Sequence, residues 1–394
     1  MLYNRLIVSS IEDKMVHFPV SIILGPRQVG KSTLVKSLFH FPRPHIYLDL
    51  ELISDEARLE DPEGYLENHI NSILVIDEVQ RKPELFPLLR ALADKFPVGR
   101  YILLGSASED IIMKSTESLA GRSVYYEIQP LTLWEVGDNQ LDKLWHRGGF
   151  PKSFTSVSDE DSMLWINQFI KSYIERELSI SYLHASPVQL EKFLIMLTTV
   201  HGQLLNYSMI AMSMDMTVPT VKKYIEFFEQ KYLVRVLHPY FINVGKRLTK
   251  SPKLYIRDSG LLHYMRAIYK KEELESNIIK GPSWEGFVIQ QILAVIGFDV
   301  KPYFYRTSDG TEIDLLLMKG AQIVLAFEIK YSNSPKLSSS IRNTINELMI
   351  RQLLVVTPSS DEYKLNEKIT VCPLKNVFKH LIEHKLTQYS AINQ

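Results

Sequence analysis

Among 394 residues there is a single cysteine, Cys372. That excludes an intramolecular disulfide and a thiolate zinc site, and it fits a reducing compartment. No apolar stretch approaches the roughly 20 residues that a bilayer-spanning helix requires, so no membrane partner is expected. The first residues carry no charged-then-apolar leader, and a functional-looking loop begins by residue 25. The expected location is therefore cytoplasmic. Charge of one sign is missing as well: 45 Lys and Arg balance 45 Asp and Glu. No global field draws the chain to nucleic acid or anionic lipid, so any such binding must come from local patches. What remains is an ordinary globular mixture, 45% hydrophobic and 23% charged, on a chain too long for one core. Two or three domains are expected.

The segment SIILGPRQVGKSTLVKSLF, from Ser21, reads as a strand, a Gly-containing loop and a helix start. Gly25, Gly30, Lys31 and Ser32 satisfy G-x-x-x-x-G-K-[ST] in the strand–loop–helix setting that the motif requires. Small residues let backbone N–H groups wrap phosphates, and the helix start adds partial positive charge. The candidate nucleotide-binding residues are Gly25, Pro26, Arg27, Gln28, Val29, Gly30, Lys31, Ser32 and Thr33. Lys31 would reach the β- and γ-phosphates of ATP, and Ser32 would ligate Mg²⁺. Further on, ILVIDEVQ places four apolar residues, Ile73 to Ile76, before Asp77 and Glu78. A continuous apolar run suits a parallel strand buried on both faces, whose C-terminal end is where ligands sit. Asp77 would hold Mg²⁺ through water and Glu78 would activate the attacking water. PHIYLDL supplies a strand between these motifs and RYILLGSAS a fourth strand after them. Ser106, ending that fourth strand, either senses the γ-phosphate or caps the next helix.

GPRQVGKSTL, VIDEVQRKPEL, LLGSAS, SLAGRSVYYEIQPLTLWEV and RGGFPKSF together resemble a prokaryotic AAA+ ATPase family. Its members join the ATPase to a C-terminal region long called a domain of unknown function. The resemblance covers nearly the whole chain and implies an AAA+-type P-loop NTPase core of the additional-strand, catalytic-glutamate class. It also implies ATP hydrolysis, and places Arg122 where related ATPases carry an arginine finger, supplied in trans within a homo-oligomer. By its chemistry alone, Arg122 could equally cap a helix C-terminus or pair with a surface carboxylate.

From Leu131 to about Ser186 apolar residues recur at helical spacing, which reads as a helical lid completing a first domain, 1–186. No Gly- or Pro-rich linker follows, and Pro187 opens the expected second domain, 187–277. There Tyr207 to Met214 is a short helix, Asp215 to Val218 a turn and Thr220 to Gln230 a helix, with YLVRVLHPYF as a wing. This is winged helix-turn-helix spacing. Thr217, Thr220, Lys222 and Lys223 would face a DNA groove. Residues 215–260 hold nine Lys/Arg against four Asp/Glu, with Lys246, Arg247, Lys250 and Lys253 in one turn-rich stretch. Such a patch on a neutral chain points to DNA, although winged helices also serve as protein-binding modules.

The third expected domain, 278–394, has the order α-β-β-β-α-β, with hairpin turns at Asp309-Gly310 and Lys319-Gly320. LLVVTP is its closing strand. That order is the core of the restriction-endonuclease-like fold, with an acidic residue on the second strand and E-x-K on the third. In VLAFEIKYSN, Leu325, Phe327, Ile329 and Tyr331 share one apolar face, and Ala326, Glu328 and Lys330 the other. Asp314 lies on the middle strand with Glu312 on the same face, and Glu285 lies among apolar helix positions. An unpaired carboxylate there would be costly, and a metal would account for it. Glu285, Asp314 and Glu328 are the candidate ligands for Mg²⁺ or Mn²⁺, and Asp314, Glu328 and Lys330 the candidate catalytic set for phosphodiester hydrolysis. The family's C-terminal region is similar to PD-(D/E)XK nucleases at these four positions. The alternative is a nucleotide-dependent regulator whose C-terminal domain binds a protein partner and cleaves nothing.

Overall fold

A computed structural model describes residues 2–37, 43–96, 99–106, 118–180, 185–241, 248–332, 334–358 and 361–389. Lys246 and Arg247 of the expected basic stretch lie outside the described residues, as does the side chain of Ser106. The chain forms two compact units, Met1–Pro130 with Gln230–Tyr232, and Leu131–Glu229 with Leu233–Gln394.

The first unit is built on five parallel strands: β1 (Val20–Gly25), β2 (His45–Asp49), β3 (Ile73–Asp77), β4 (Tyr101–Ser106) and β5 (Ser123–Glu127). Their spatial order is β2-β3-β4-β1-β5. β4 thus lies between the strands that carry the two phosphate motifs, the insertion expected of the additional-strand class. Every residue of β1 and β3 is buried, as continuous apolar runs predict. Helix Leu85–Lys95 places Leu85, Phe86, Leu89, Leu92 and Ala93 in the core at helical spacing, against Ile76 and Leu103.

The second unit begins with the helices Leu133–Val136, Leu141–Arg147, Pro151–Phe154 and Asp159–Ile180. These were expected to cover the ATPase. Instead the chain divides at Pro130, because the residues beyond it are committed elsewhere. Gly149 donates its N–H to the buried Asp258 carboxylate at 2.8 Å, and a Cβ on Gly260 would lie 2.2 Å from the Arg147 carbonyl oxygen. Only glycine permits that approach. The expected boundary at 277/278 does not separate compact units either.

Helices Pro187–Thr199, Tyr207–Ser213 and Val218–Gln230 follow, the first two capped by Ser186 and Asn206 side chains. Asp215 turns the chain with a left-handed φ of 51°. Val221, Tyr224, Ile225 and Phe228 bury the expected face of the third helix. A three-stranded antiparallel sheet, β6 (Gln203–Leu204), β7 (Val234–Leu237) and β8 (Lys253–Ile256), completes this region in the order β6-β8-β7.

Helix Lys280–Leu293 then leads into β9 (Val300–Arg306), β10 (Glu312–Lys319), β11 (Gln322–Ile329), helix Ser339–Glu347 and β12 (Leu353–Thr357). β9, β10 and β11 form an antiparallel meander, and β12 runs parallel to β11. β12 is not the closing strand. A hairpin of β13 (Tyr363–Asn366) and β14 (Ile369–Pro373), then helix Leu374–Glu383, extend the sheet to the order β13-β14-β12-β11-β10-β9. Central in that sheet, β11 buries both faces, Ala326 and Glu328 as fully as Leu325 and Phe327.

Candidate functional site

The nucleotide motif closes at the C-terminal ends of β1 and β3. A Cβ on Gly25 would sit 2.6 Å from the Ile128 carbonyl oxygen, so that position must be glycine. Val29 is fully buried and anchors the loop, Gln28 turns it with φ 59°, and Arg27 and Thr33 are more open. Lys31 is 7% exposed, and its ammonium donates to the carbonyls of Gly25 and Pro26 at 3.1 and 3.0 Å. The Ser32 hydroxyl donates to Asp77 Oδ2 at 2.7 Å, joining the two motifs that Mg²⁺ requires. Glu78 takes a left-handed φ of 54°, and its N–H donates to Asp77 Oδ1 at 2.9 Å. Burial, then the neighbouring Asp77, raises the Glu78 carboxyl above its ordinary range, which suits a general base.

Tyr47, on β2, was not anticipated. Its hydroxyl donates to the same Asp77 Oδ2 that accepts from Ser32. The register that sets Asp49 beside Asp77 puts Tyr47 one pleat back on the same face. Tyr47 is thus a positioning residue for the carboxylate that would hold Mg²⁺. Tyr47→Phe is expected to raise the Mg²⁺ concentration for half-maximal ATP hydrolysis about tenfold to a hundredfold, the value of one hydrogen bond to a charged group. A titration of activity against Mg²⁺ checks this, and an unchanged midpoint would refute it. Arg122 makes a two-pronged ion pair with Asp94 of its own chain, Nη2 to Oδ2 at 2.9 Å. Of its alternatives, this is the surface carboxylate pair.

The second cluster forms in the other unit. Three oxygens of Glu285, Glu312 and Asp314 lie within 4.8 Å of one another. β10 carries one extra residue relative to β9 between Ile313 and Leu316, a bulge in the stretch that holds Asp314. Asp314 Oδ2 accepts the Ile329 N–H at 2.7 Å, which ties it to the end of β11. Glu328 Oε1 pairs with Lys330 at 2.6 Å, while Glu328 Oε2 is buried with no hydrogen-bond partner. Burial, then Glu285 and Glu328, raises the Asp314 carboxyl far above its usual range. Burial likewise raises Glu328, against the pull of Lys330. An orphaned buried carboxylate oxygen beside a three-carboxylate cluster fits a divalent ion. Glu285 and Asp314 stand together with Glu312 as the third member of the trio, and Glu328 lies beside Asp314.

One cation already sits there. Lys253 is 2% exposed, and its ammonium binds Glu285 Oε1 at 2.9 Å and also Glu312. Arg306 holds the other oxygen of Glu312 at 2.6 Å, and the Tyr255 hydroxyl donates to Glu285 Oε1 at 2.6 Å. Lys253 therefore does not belong to a solvated basic face. Arg257 is also buried, and Arg235 turns inward to Gln290, so the positive patch is smaller than the residue count implied. Thr217, Lys222, Lys223 and Lys250 are exposed and Thr220 is half-buried. The strand itself gives one hint of burial without naming a partner: Lys253 and Tyr255 share one face of KLYI, otherwise apolar.

The first unit has the strand order and phosphate motifs of an AAA-type P-loop ATPase, and the AAA domain family matches residues 17–137. The protein is thus a nucleotide-binding ATPase using ATP and Mg²⁺. Two further families match beyond it, each a Domain of unknown function, DUF8612 over 138–272 and DUF4143 over 280–377. The uncharacterized proteins Rv2008c of Mycobacterium tuberculosis and Mb2031c of Mycobacterium bovis are each 38% identical over 361 residues, covering 91% of this chain and 81% of theirs. The chain belongs to their family. Among solved structures, a STAND-class signal transduction ATPase with a tetratricopeptide repeat sensor from Pyrococcus horikoshii is similar at TM-score 0.23 and 13% identity. It covers 72% of this chain and 44% of that one. A chain of the Drosophila ORC structure bound to AT-rich DNA and Cdc6 scores 0.23 at 10% identity, covering 68% and 90%. Scores so low carry no argument. Among the described residues, no helix is long and apolar enough to cross a membrane.

Proposed function

We propose that this ATPase is an ATP-driven machine or switch whose C-terminal region is a metal-dependent PD-(D/E)XK-like nuclease acting on DNA. The observation that carries the reading is the meeting of Glu285, Asp314, Glu328 and Lys330 at one end of a helix-flanked antiparallel meander. The α-β-β-β-α-β order supports it. Glu285, Asp314 and Glu328 would hold Mg²⁺ or Mn²⁺, which when bound supplies charge stabilisation at a phosphoryl oxygen. Lys330, with its side chain 41% exposed, would stand beside the scissile phosphate and offset charge developing there. Thr217, Lys222 and Lys223 would meet DNA as part of a winged helix, and Arg122 would leave Asp94 to serve a neighbouring copy. The purified chain is expected to nick supercoiled plasmid with Mn²⁺, and Asp314→Asn to lower that rate at least about a hundredfold. Equal nicking by both proteins would sink the assignment.

A second reading is favoured by Lys253, because an ammonium among the carboxylates suits a silent site. On that reading the C-terminal region binds a protein partner and reports the nucleotide state. No nicking in any metal, with or without ATP, would decide for it.

A further inference from the structure

The cluster described above is balanced by a lysine from outside the α-β-β-β-α-β region. Lys253 opens β8, which is paired in register with β7 from Leu237↔Lys253 to Val234↔Ile256 and with β6 at Leu204. Lysine is seldom so deeply buried unless it is paired. This one has two carboxylate partners, Glu285 and Glu312, and both belong to the trio that converges within 4.8 Å. Tyr255, two residues on and on the same face of β8, reinforces the contact through Glu285. The middle region thus fills the acidic site with two groups from one strand.

We propose that Lys253 is a built-in competitor for the divalent ion, so that the position of β8 sets the metal affinity of the acidic site. The proposal rests on the metal-site reading given above. An ion held by Glu285 and Asp314 would lie within a few ångströms of the ammonium, where like charges repel strongly because little water screens them. Glu328 Oε2 is the second sign of an unmet cation: it is buried, unpartnered and beyond the reach that Lys253 has on the other two glutamates. The ammonium balances part of the charge of the cluster, while Glu328, paired with Lys330 through Oε1, keeps an Oε2 that nothing meets. The carboxylates, by contrast, belong to other elements, helix Lys280–Leu293 and β10. A shift of the three-stranded sheet therefore moves the ammonium against carboxylates that stay with helix Lys280–Leu293 and β10. A ligand of the middle region that drew β8 back would admit metal.

The test is Mn²⁺ binding by calorimetry on the full chain without nucleotide. The Lys31→Ala, Asp77→Ala background silences the other metal site. Lys253→Met is expected to bind Mn²⁺ at least about tenfold more tightly than this parent, and Mn²⁺ should raise its thermal midpoint further. Lys253→Gln, which keeps a hydrogen-bond donor for Glu285 without the charge, should do the same and stands in if the methionine variant does not fold. Lys253→Arg should bind as weakly as the parent. Equal or weaker Mn²⁺ binding by folded Lys253→Met or Lys253→Gln overturns the competition and leaves the metal site standing. No Mn²⁺ heat in parent or variants overturns the metal-site reading, and this proposal with it.

Discussion

Glu78→Gln is expected to lower ATP turnover by about 10²- to 10⁴-fold while leaving ATP binding intact, the usual contribution of a positioned general base. The amide keeps the size and the left-handed backbone of Glu78, so the loop is not strained further. Asp77 keeps its bonds from Ser32 and Tyr47, so the metal-holding arrangement survives. What is lost is the basicity that burial has raised. Lys31→Ala should differ in kind: it removes the buried ammonium at the phosphate loop and with it most ATP affinity. Equilibrium binding of a fluorescent ATP analogue, beside single-turnover hydrolysis, separates the two. Turnover by Glu78→Gln equal to that of the wild type would remove Glu78 from catalysis.

Through two buried histidines, acidification from pH 7 to pH 5 is expected to draw about 4 kcal/mol from the second unit, against which the raised carboxyls of Asp258, Asp314 and Glu328 act. His201 is buried with a fixed tautomer: Nδ1 accepts the Ile256 N–H at 3.0 Å and Nε2 donates to the Pro282 carbonyl at 3.1 Å. A proton on Nδ1 would face a donor. His263 is held likewise, Nδ1 donating to the His146 carbonyl at 2.9 Å and Nε2 against the Ser283 hydroxyl at 2.7 Å. Burial pushes them down to about 4 and about 3. The unfolded chain, with ordinary histidines, takes up protons first as pH falls below 6.5, so stability drains through that window. At pH 5 the two together cost roughly 4 kcal/mol. Asp258 acts in the opposite sense, because burial raises it to about 6 and its protonation favours the folded state on acidification. It returns about 1 kcal/mol over the same range. All four tryptophans, Trp134, Trp145, Trp165 and Trp284, lie in the second unit, so their fluorescence follows its unfolding alone. A difference in urea midpoint between the two pH values that is the same in His201→Asn as in the wild type would contradict the argument.

The parts of the fold legible in the sequence are those where a local pattern has one physical solution. A phosphate loop needs glycine at a close approach, and Gly25 beside Ile128 is such a place. ILVID can be little but a buried parallel strand, and β3 is. The alternation of E-x-K likewise placed Glu328 and Lys330 side by side. What escaped depends on pairings far apart in the chain. Nothing near Tyr47 says that β2 lies beside β3, and nothing near Lys253 says that β8 faces helix Lys280–Leu293. Composition alone makes Lys253 a surface charge, but a partner 32 residues away reverses that. The helices after Pro130 misled for a similar reason: periodicity reveals a buried face without naming what buries it.

Helix Lys280–Leu293 is a wall shared by two rooms. His201 stands where a Cβ on Gly286 would be, 2.5 Å from Nε2, and Trp145 donates to Ser283 at 3.0 Å. Glu285 reaches across to Lys253. The C-terminal region is therefore not a portable cassette. Transferred to another chain from residue 278 onward, it would carry an uncapped wall, a bared apolar flank and a carboxylate cluster stripped of its counter-charge. The heritable piece, the one that recombination could move intact, is the whole of Leu131 onward, and the acidic site can travel between ATPases only with its own lysine attached.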